Sequence, residues 1–274
     1  MIRAPLPRNL QAGAAILVTL LLTALAAPLL TGADPAAIDI DRLLEAPGGE
    51  HWMGTDGLGR DLFSRVLHGG RVSLQVGFMA AGFALLIGVP LGMLAGYFGK
   101  ALDLAISRFI EAVLCFPSIV LAITLIATSG AWLPASDATR IALVLGATGW
   151  TPVARFLRGE FMRLKNTGVV EAARAAGSGH RRIMIRHILP AALAPVLVTT
   201  AFAVAAAIVA EALLSFLGLG IGPPTPSWGG LLEEARSHVD RAWWLALFPG
   251  GMLFLAVLAC NLVGEGIRDW VDPT

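Results

Sequence analysis

Long apolar stretches separated by short polar connections make up most of this chain. A helix needs about 20 largely apolar residues to cross a lipid bilayer. By that measure the pattern predicts membrane-spanning helices at about residues 11–30, 72–98, 102–127, 141–156, 191–217 and 243–263. The fourth is short and weakly bounded. We therefore expect an all-α integral membrane protein with six transmembrane helices.

The first apolar run has a second interpretation, a cleaved signal peptide, because Ala24-Leu25-Ala26 resembles a cleavage site. The run exceeds the apolar part of a usual signal peptide and more spans follow, so a retained helix is favoured. Residues 31–70 are polar with an acidic excess, which suits the non-cytoplasmic side of the membrane. Within them, residues 61–67 predict a short amphipathic helix on the membrane surface.

Two predicted spans carry residues with specific packing consequences. Gly88, Gly92 and Gly96 repeat a G-x-x-x-G spacing, which lets another helix approach closely. A gating hinge is the alternative interpretation. Arg108 and Glu111 lie three residues apart on one helix face and can form an ion pair. Such charges either extend to the membrane interface or belong to a transport pathway.

Glu211 is a charged residue inside the fifth predicted span. An ionisable residue within the membrane is by default a candidate functional site. Pairing with another helix for structural reasons is the alternative, and the sequence leaves both interpretations open.

Composition supports the membrane assignment and narrows the function. With 56% hydrophobic and 14% charged residues, the chain is too apolar for an ordinary soluble domain. A net charge of +1 argues against a nucleic acid partner, which requires a concentrated basic surface.

Basic residues are concentrated between the fourth and fifth spans. This stretch holds eight of the 20 in the chain: Arg155, Arg158, Arg163, Lys165, Arg174, Arg181, Arg182 and Arg186. Because cytoplasmic loops are enriched in arginine and lysine, we expect this loop on the cytoplasmic side. Six spans then place both termini on that side as well, in agreement with Arg3 and Arg8.

The basic loop predicts two short helices, at about residues 168–176 and 179–188. Asn166 or Thr167 would cap the first, Gly177 would supply a left-handed turn, Ser178 would cap the second and Pro190 would bound it. The second helix would carry an apolar stripe along one side, formed by Ile183, Met184, His187 and Ile188. Helices this short need a docking partner, which is the span ends, the lipid surface or another protein.

The same loop carries a family resemblance. Glu171-Ala172-Ala173, Gly177 and His187-Ile188-Leu189-Pro190 resemble the EAA loop of ABC-importer permeases. The general pattern has isoleucine where His187 stands. The His-Ile-Leu-Pro version of the loop is similar to that of the dipeptide/oligopeptide (DppC/OppC-like) subfamily. HWMGTDGLGRDLFSRVLHGGRVSL, GVPLGMLAGYFG and EALLSFLGLGIGPPTPSWGGLL resemble other blocks of that subfamily, in the right order.

This resemblance implies a six-helix, type I ABC importer permease fold in the bacterial inner (cytoplasmic) membrane. It implies residues 1–71 as an N-terminal helix with an extracytoplasmic segment, and 72–274 as the permease domain with five helices. The implied partners are a homologous B-type permease subunit, two cytoplasmic ABC ATPase subunits, an extracytoplasmic solute-binding protein, a peptide substrate and membrane lipid. The implied ATPase-coupling residues are Glu171, Ala172, Ala173, Gly177, Arg182, Arg186, His187, Ile188, Leu189 and Pro190.

The chain lacks the residues expected of an enzyme or of its own ATPase. Its only Gly-Lys pair, Gly99-Lys100, is followed by Ala101 rather than serine or threonine, so it is not a phosphate-binding loop. We expect no cofactor on this chain, with ATP and Mg used by partner ATPase subunits. The histidines lack metal-ligand spacing, so no metal site is expected.

Two alternative functions remain open, a nickel or other small-solute ABC permease and a secondary transporter. The candidate pathway or structural charges are Glu211, Glu111 and Arg108.

Overall fold

The computed structural model describes residues 6–130, 133 and 135–271, except for the side chains of Leu193, Ala194 and Val271. Within this part of the chain the structure is helical, and β-pairing is limited to one bridge between Thr55 and Asp61. The helices are α1 (Arg8–Leu25), α2 (Ala27–Thr31), α3 (Leu62–Phe98), α4 (Lys100–Leu114), α5 (Ser118–Ser129), α6 (Asp137–Gly149), α7 (Thr151–Leu164), α8 (Gly168–Ala175), α9 (His180–Arg182), a π-helical segment (Ile183–Ile188), α10 (Leu189–Phe216), α11 (Trp228–Ala235) and α12 (Trp244–Val271).

Four of the described helices are long and apolar enough to cross a membrane, judged by length and composition. They are α1, α3, α10 from Pro195 onwards, and α12 up to Trp270. A fifth crossing is made if α4 and α5 are counted as one broken span. The all-α membrane fold is therefore confirmed, whereas the count of six spans is not confirmed and stays a prediction.

The expectation of one continuous helix over residues 102–127 is wrong. The helices α4 and α5 meet at an angle of 83°. The break contains Pro117, which precedes α5 and adopts an extended backbone conformation, with φ −56° and ψ 124°. Proline has no amide hydrogen and disfavours helical geometry in the residue before it, so the helix ends at this point.

The fourth predicted span, residues 141–156, falls on two helices rather than one. The first, α6, has 13 residues, so it is about 20 Å long and shorter than the hydrocarbon layer of a bilayer. The second, α7, begins directly after Trp150, with Pro152 in its first turn. Proline is favoured there because its missing amide hydrogen needs no partner at the start of a helix.

The longest helix, α3, lies at the centre of the fold and packs against α6, α7 and α10. Its 37 residues correspond to a length of about 55 Å. A Cβ atom added at Gly88, Gly92 or Gly96 would lie 2.5 to 2.8 Å from a backbone oxygen of α7 or of Trp150, the residue before it. The predicted close-packing role of this glycine row is therefore confirmed, and Pro90 lies inside α3 without ending it.

The predicted surface helix at residues 61–67 is also wrong, because these residues start α3. The Asp61 side chain accepts a hydrogen bond from the Ser64 amide at 2.7 Å and caps the helix. Leu62 and Val66 are buried within the protein. The apolar positions that suggested a membrane-surface helix pack instead against α11 and α12.

The first and last described helices, α1 and α12, pack against each other. Gly13 of α1 packs against Leu262 of α12, and Gly266 packs against Leu10, so the two helices are antiparallel. Between these two contacts, an added Cβ at Gly264 would lie 3.1 Å from the Phe202 ring, in the middle of α10. The start of α1 and the end of α12 therefore lie at the same end of the helix bundle.

Candidate functional site: the loop between α7 and α10

The first half of the loop is α8, and its end has the predicted left-handed turn. Gly177 has φ +77°. The Ser178 amide donates to the Ala173 carbonyl at 3.0 Å, and the Gly177 amide donates to the Arg174 carbonyl at 3.0 Å. This pair of hydrogen bonds is the Schellman motif, which closes a helix on a glycine because other residues are strained at positive φ. Gly177 therefore sets the direction of the second half of the loop.

The predicted side-chain caps are wrong. Thr167 occupies the position before α8, but its hydroxyl donates to the Leu164 carbonyl at 2.8 Å and makes no bond to α8. The second helix starts after Gly179, which has no side chain, rather than after Ser178.

The second half of the loop runs without interruption into α10. Residues Ile183–Ile188 form a π-helical segment, and the Leu189 amide donates to the Met184 carbonyl, five residues back. Pro190 lies in the first turn of α10, so the prediction that Pro190 ends a separate helix is wrong. Its ring nitrogen cannot donate to the carbonyl four residues back, and the wider π turn before it changes the hydrogen-bond register of the helix.

The loop is docked on the protein rather than free. Ile183 and Ile188 are fully buried and share an apolar cluster with Leu157, Phe161 and Val170. Met184 and His187 are half-buried, as expected from the predicted stripe. The sequence left three docking partners open: the span ends, the lipid surface and another protein. In the structure the loop packs against the first of these, at the ends of α3, α7 and α10.

An exposed outer surface remains on this docked loop. Glu171 and Ala172 are exposed on α8, and Arg182 and Arg186 are exposed on the second half. Gly177 and Pro190 are also exposed, whereas Ala173 and Leu189 are half-buried and Ile188 is buried. The ten predicted coupling residues therefore divide into an outer surface and an inner anchor.

Two polar contacts, which the sequence analysis did not predict, attach the loop to the end of α3. The Tyr97 hydroxyl oxygen lies 2.9 Å from Nδ1 of His180. The Lys165 Nζ donates to the Gly96 carbonyl at 2.8 Å. Such contacts join residues far apart in sequence, and the only signal in the sequence is that Tyr97 is the single tyrosine of the chain.

Glu211 is fully buried and serves as a link between helices. Its carboxylate accepts hydrogen bonds from Ser73 on α3 at 2.8 Å and from Ser215 on α10 at 2.7 Å. The Ser73 hydroxyl oxygen in turn accepts from the Trp228 amide at the start of α11, at 3.2 Å. These contacts agree with the structural interpretation of Glu211, and its role stays a prediction.

A cavity of about 780 Å³ lies between α3, α5, α6, α7, α10 and α12, and Glu211 is not among its lining residues. Small side chains dominate the lining, among them Ala80, Ala84, Ala122, Ala203, Ala206 and Ala210. Its polar side chains are uncharged: Ser118, Thr148, Thr199 and Asn261. Arg108 and Glu111 form the predicted ion pair at 2.7 Å, but both are exposed on α4 and neither lines the cavity.

A cluster of four charges at the opposite end of α3 was not predicted either. Arg65 donates to both carboxylate oxygens of Glu234, at 2.6 and 2.9 Å, and also contacts Asp56. Arg60 donates to Asp56 at 2.7 Å and to Glu234 at 2.9 Å. Asp56, Arg60 and Arg65 are buried. The cluster joins the segment before α3 to α11, a pairing across about 170 positions that a single sequence does not show.

Comparison with known proteins places the chain in a family. A family profile described as "Binding-protein-dependent transport system inner membrane component" matches residues 88–274. The dipeptide transport system permease protein DppC of Alkalihalophilus pseudofirmus is 41% identical over 262 residues, covering 95% of this chain and 84% of that protein. The glutathione transport system permease protein GsiD of Pectobacterium atrosepticum is 41% identical over 235 residues, covering 86% and 76%.

The fold has a counterpart among solved structures. The MetNI methionine ABC transporter in an inward-facing conformation matches with a TM-score of 0.62 and 18% identity, covering 75% of this chain and 96% of that chain. This likeness identifies the fold as that of a type I ABC importer permease. Together with its several apolar helices, the family match makes this a multi-pass membrane protein. The chain therefore belongs to the family of binding-protein-dependent transport system inner membrane components.

Proposed function

We propose that this chain is a permease subunit of an ABC importer and forms half of a transmembrane path for di- or oligopeptides. The observation that carries the proposal is the loop between α7 and α10, whose inner side is anchored on the helix bundle and whose outer side is exposed. The names of the relatives support peptides as the substrate class, because they include dipeptide, di/tripeptide and glutathione permeases.

The proposed complex contains a homologous B-type permease, two ATPase subunits that use ATP and Mg, and an extracytoplasmic solute-binding protein. It lies in the bacterial cytoplasmic membrane, with both termini of this chain and the α7–α10 loop on the cytoplasmic side. The eight basic residues between Arg155 and Arg186 support that orientation. Residues 31–70 and 218–242 then face the binding protein.

In the proposed mechanism the exposed surface of the loop binds an ATPase subunit, and its buried side passes the movement to the helices. Glu171, Arg182 and Arg186 provide charge on the outer surface. Ile183 and Ile188 hold the second half of the loop against α3 and α7. Because protein interiors are close-packed and resist deformation, a displacement of the loop moves the helix ends with it. Alternating access follows when the two permeases rock against each other.

Co-purification separates this proposal from a secondary transporter. We expect two ATPase chains to purify with the permease pair, and uptake of alanyl-alanine into vesicles to require ATP and the binding protein. Uptake driven by an ion gradient, in preparations without an ATPase subunit, would contradict the proposal.

Charge reversal on the loop tests its coupling role. We expect Glu171→Lys to retain insertion and assembly but to lose substrate-driven ATP hydrolysis and uptake, since Glu171 is exposed on the proposed docking surface. Gly177→Pro is expected to uncouple as well, because proline cannot adopt positive φ and lacks the amide that donates to Arg174. Glu265→Lys, which reverses an exposed charge on α12 outside the loop, is the control. Normal uptake by both loop variants would refute the role.

The substrate is best established on the partner binding protein. Titrations with alanyl-alanine, a pentapeptide, glutathione and Ni²⁺ distinguish the peptide importer from a nickel or other small-solute importer. We expect peptide binding, because the relatives include dipeptide, di/tripeptide and glutathione permeases. Tight binding of Ni²⁺ alone would reassign the substrate and leave the permease function intact.

A further inference from the structure

Tyr97 ends the glycine row of α3 and meets His180 across the loop. Its hydroxyl oxygen lies 2.9 Å from Nδ1 of His180, and the two rings stand nearly edge to face with their centroids 5.6 Å apart. Tyr97 is only 8% exposed. His180 is exposed, so the bond is shielded from water on the Tyr97 side only.

Both sides of α8 are attached to the same end of α3. Lys165, which precedes α8, donates to the Gly96 carbonyl at 2.8 Å. His180, which follows the turn at Gly177, contacts Tyr97. The end of α3 is therefore held between the entry to the exposed part of the loop and its exit.

The far end of α3 is attached as firmly to other elements. The Trp228 indole of α11 donates to the Val66 carbonyl at 3.0 Å, and Arg65 pairs with Glu234. One continuous helix thus contacts the loop at one end and α11 at the other. Along its second half the glycine row rests on α7 with backbone close to backbone, as at Gly92. At these glycines no α3 side chain lies between the two backbones to absorb a displacement.

We propose that His180 and Tyr97 form the joint through which a movement of the loop is passed to α3, and through α3 to the residues packed at its far end. The proposal rests on the proposed permease function and adds positioning residues to it. The apolar contacts of Ile183 and Ile188 are non-directional, so they hold the loop against the bundle without fixing its position along α3. The hydrogen bond between Tyr97 and His180 is directional and fixes that position after the turn at Gly177, as the Lys165 contact does before α8.

The test is a double-mutant cycle in the complete reconstituted complex, with alanyl-alanine taken up per ATP hydrolysed as the readout. Tyr97→Phe removes one oxygen and keeps the buried ring, and His180→Ala removes the partner. We expect each to lower uptake per ATP by about threefold or more, as for loss of one coupling contact. The double variant should be no worse than either single variant, because both remove the same interaction. His180→Asn, which keeps a polar group near the position of Nδ1, should restore most of the ratio.

The control is Thr124→Val, which removes a hydroxyl that bonds to the Val120 carbonyl of its own helix. Unchanged uptake per ATP in Tyr97→Phe, or multiplied losses in the double variant, would overturn the joint. Failure of Tyr97→Phe to assemble would also overturn it, because the contact would then be purely structural. If His180→Ala alone fails to assemble, Tyr97→Phe and His180→Asn decide. A wild-type complex without ATP-driven uptake would instead refute the proposed function.

Discussion

Gly92 has no room for a side chain. An added Cβ would lie 2.6 Å from the Ala154 carbonyl oxygen and 3.0 Å from Cβ of Leu157. We expect Gly92→Ala to lower the unfolding temperature in detergent, because overpacking of a close contact costs about 1–3 kcal/mol. Gly82→Ala is the matched control, since Gly82 is also in α3 but has open space around its Cβ position. A neutral Gly92→Ala would show that α3 and α7 separate at no cost.

A second prediction concerns Glu211, whose side chain is buried in the bundle. Glu211→Leu leaves the hydroxyls of Ser73 and Ser215 without their acceptor inside the bundle. Unsatisfied buried polar groups cost about 1–3 kcal/mol each, so we expect a lower unfolding temperature and less assembled complex. Glu211→Gln keeps one acceptor oxygen and should be milder.

The comparison needs a glutamate outside the bundle. Glu233→Gln, at an exposed position of α11, serves as that control and should behave as wild type. A Glu211→Leu variant that is as stable as wild type but does not transport would contradict the bracing role and return Glu211 to the pathway.

At the scale of elements, the four-charge cluster determines how the segment before α3 is held. Arg65→Met removes the cation that Asp56 and Glu234 share. Removing one partner of a buried ion pair costs about 3–5 kcal/mol because the other charge stays uncompensated. We therefore expect proteolysis to cut residues 39–61 faster and the unfolding temperature to fall.

An exposed ion pair provides the contrast. Arg108→Ala breaks the pair with Glu111, whose side chains are 72% and 59% exposed, and surface pairs contribute about 1 kcal/mol or less. We expect this variant to resemble wild type in both measurements. Equal effects of Arg65→Met and Arg108→Ala would mean that the cluster does not anchor the segment.

The elements also show where local patterns succeed. The turn at Gly177 and the buried stripe of Ile183 and Ile188 follow from local rules, namely the tolerance of glycine for positive φ and the periodicity of a helix. The helix boundaries expected at Pro117 and Pro190 do not follow from local rules. Pro117 ends a helix whereas Pro190 lies inside one, and the difference depends on whether the neighbouring backbone finds other hydrogen-bond partners.

For the whole molecule, the cavity between the helices gives the most direct prediction. Ala206 is exposed and lines the cavity from α10. We expect Ala206→Trp to block uptake while the ATPase subunits still purify with the complex, because the indole fills space that the substrate needs. Val18→Trp, at an exposed position of α1, is the control. Normal uptake by Ala206→Trp would place the substrate path elsewhere.

The class of the molecule and the position of its exposed loop follow from patterns in the sequence. Apolar run length predicts spanning helices because lipid offers no hydrogen-bond partners to the backbone. The Glu171-Ala172-Ala173 and Gly177 spacing identified the loop, and the glycine row from Gly88 predicted a close helix contact. These features are local, since each depends on residues within a few turns of one another.

Which elements those features join is seen in the folded structure and not in the sequence. It placed the glycine row on α7, Glu211 between Ser73 and Ser215, and Tyr97 against His180. It also bent the third predicted span by 83°. The physical reason is that such contacts depend on the relative positions of distant segments. Those positions follow from the packing of the whole bundle rather than from the preference of any one stretch of chain.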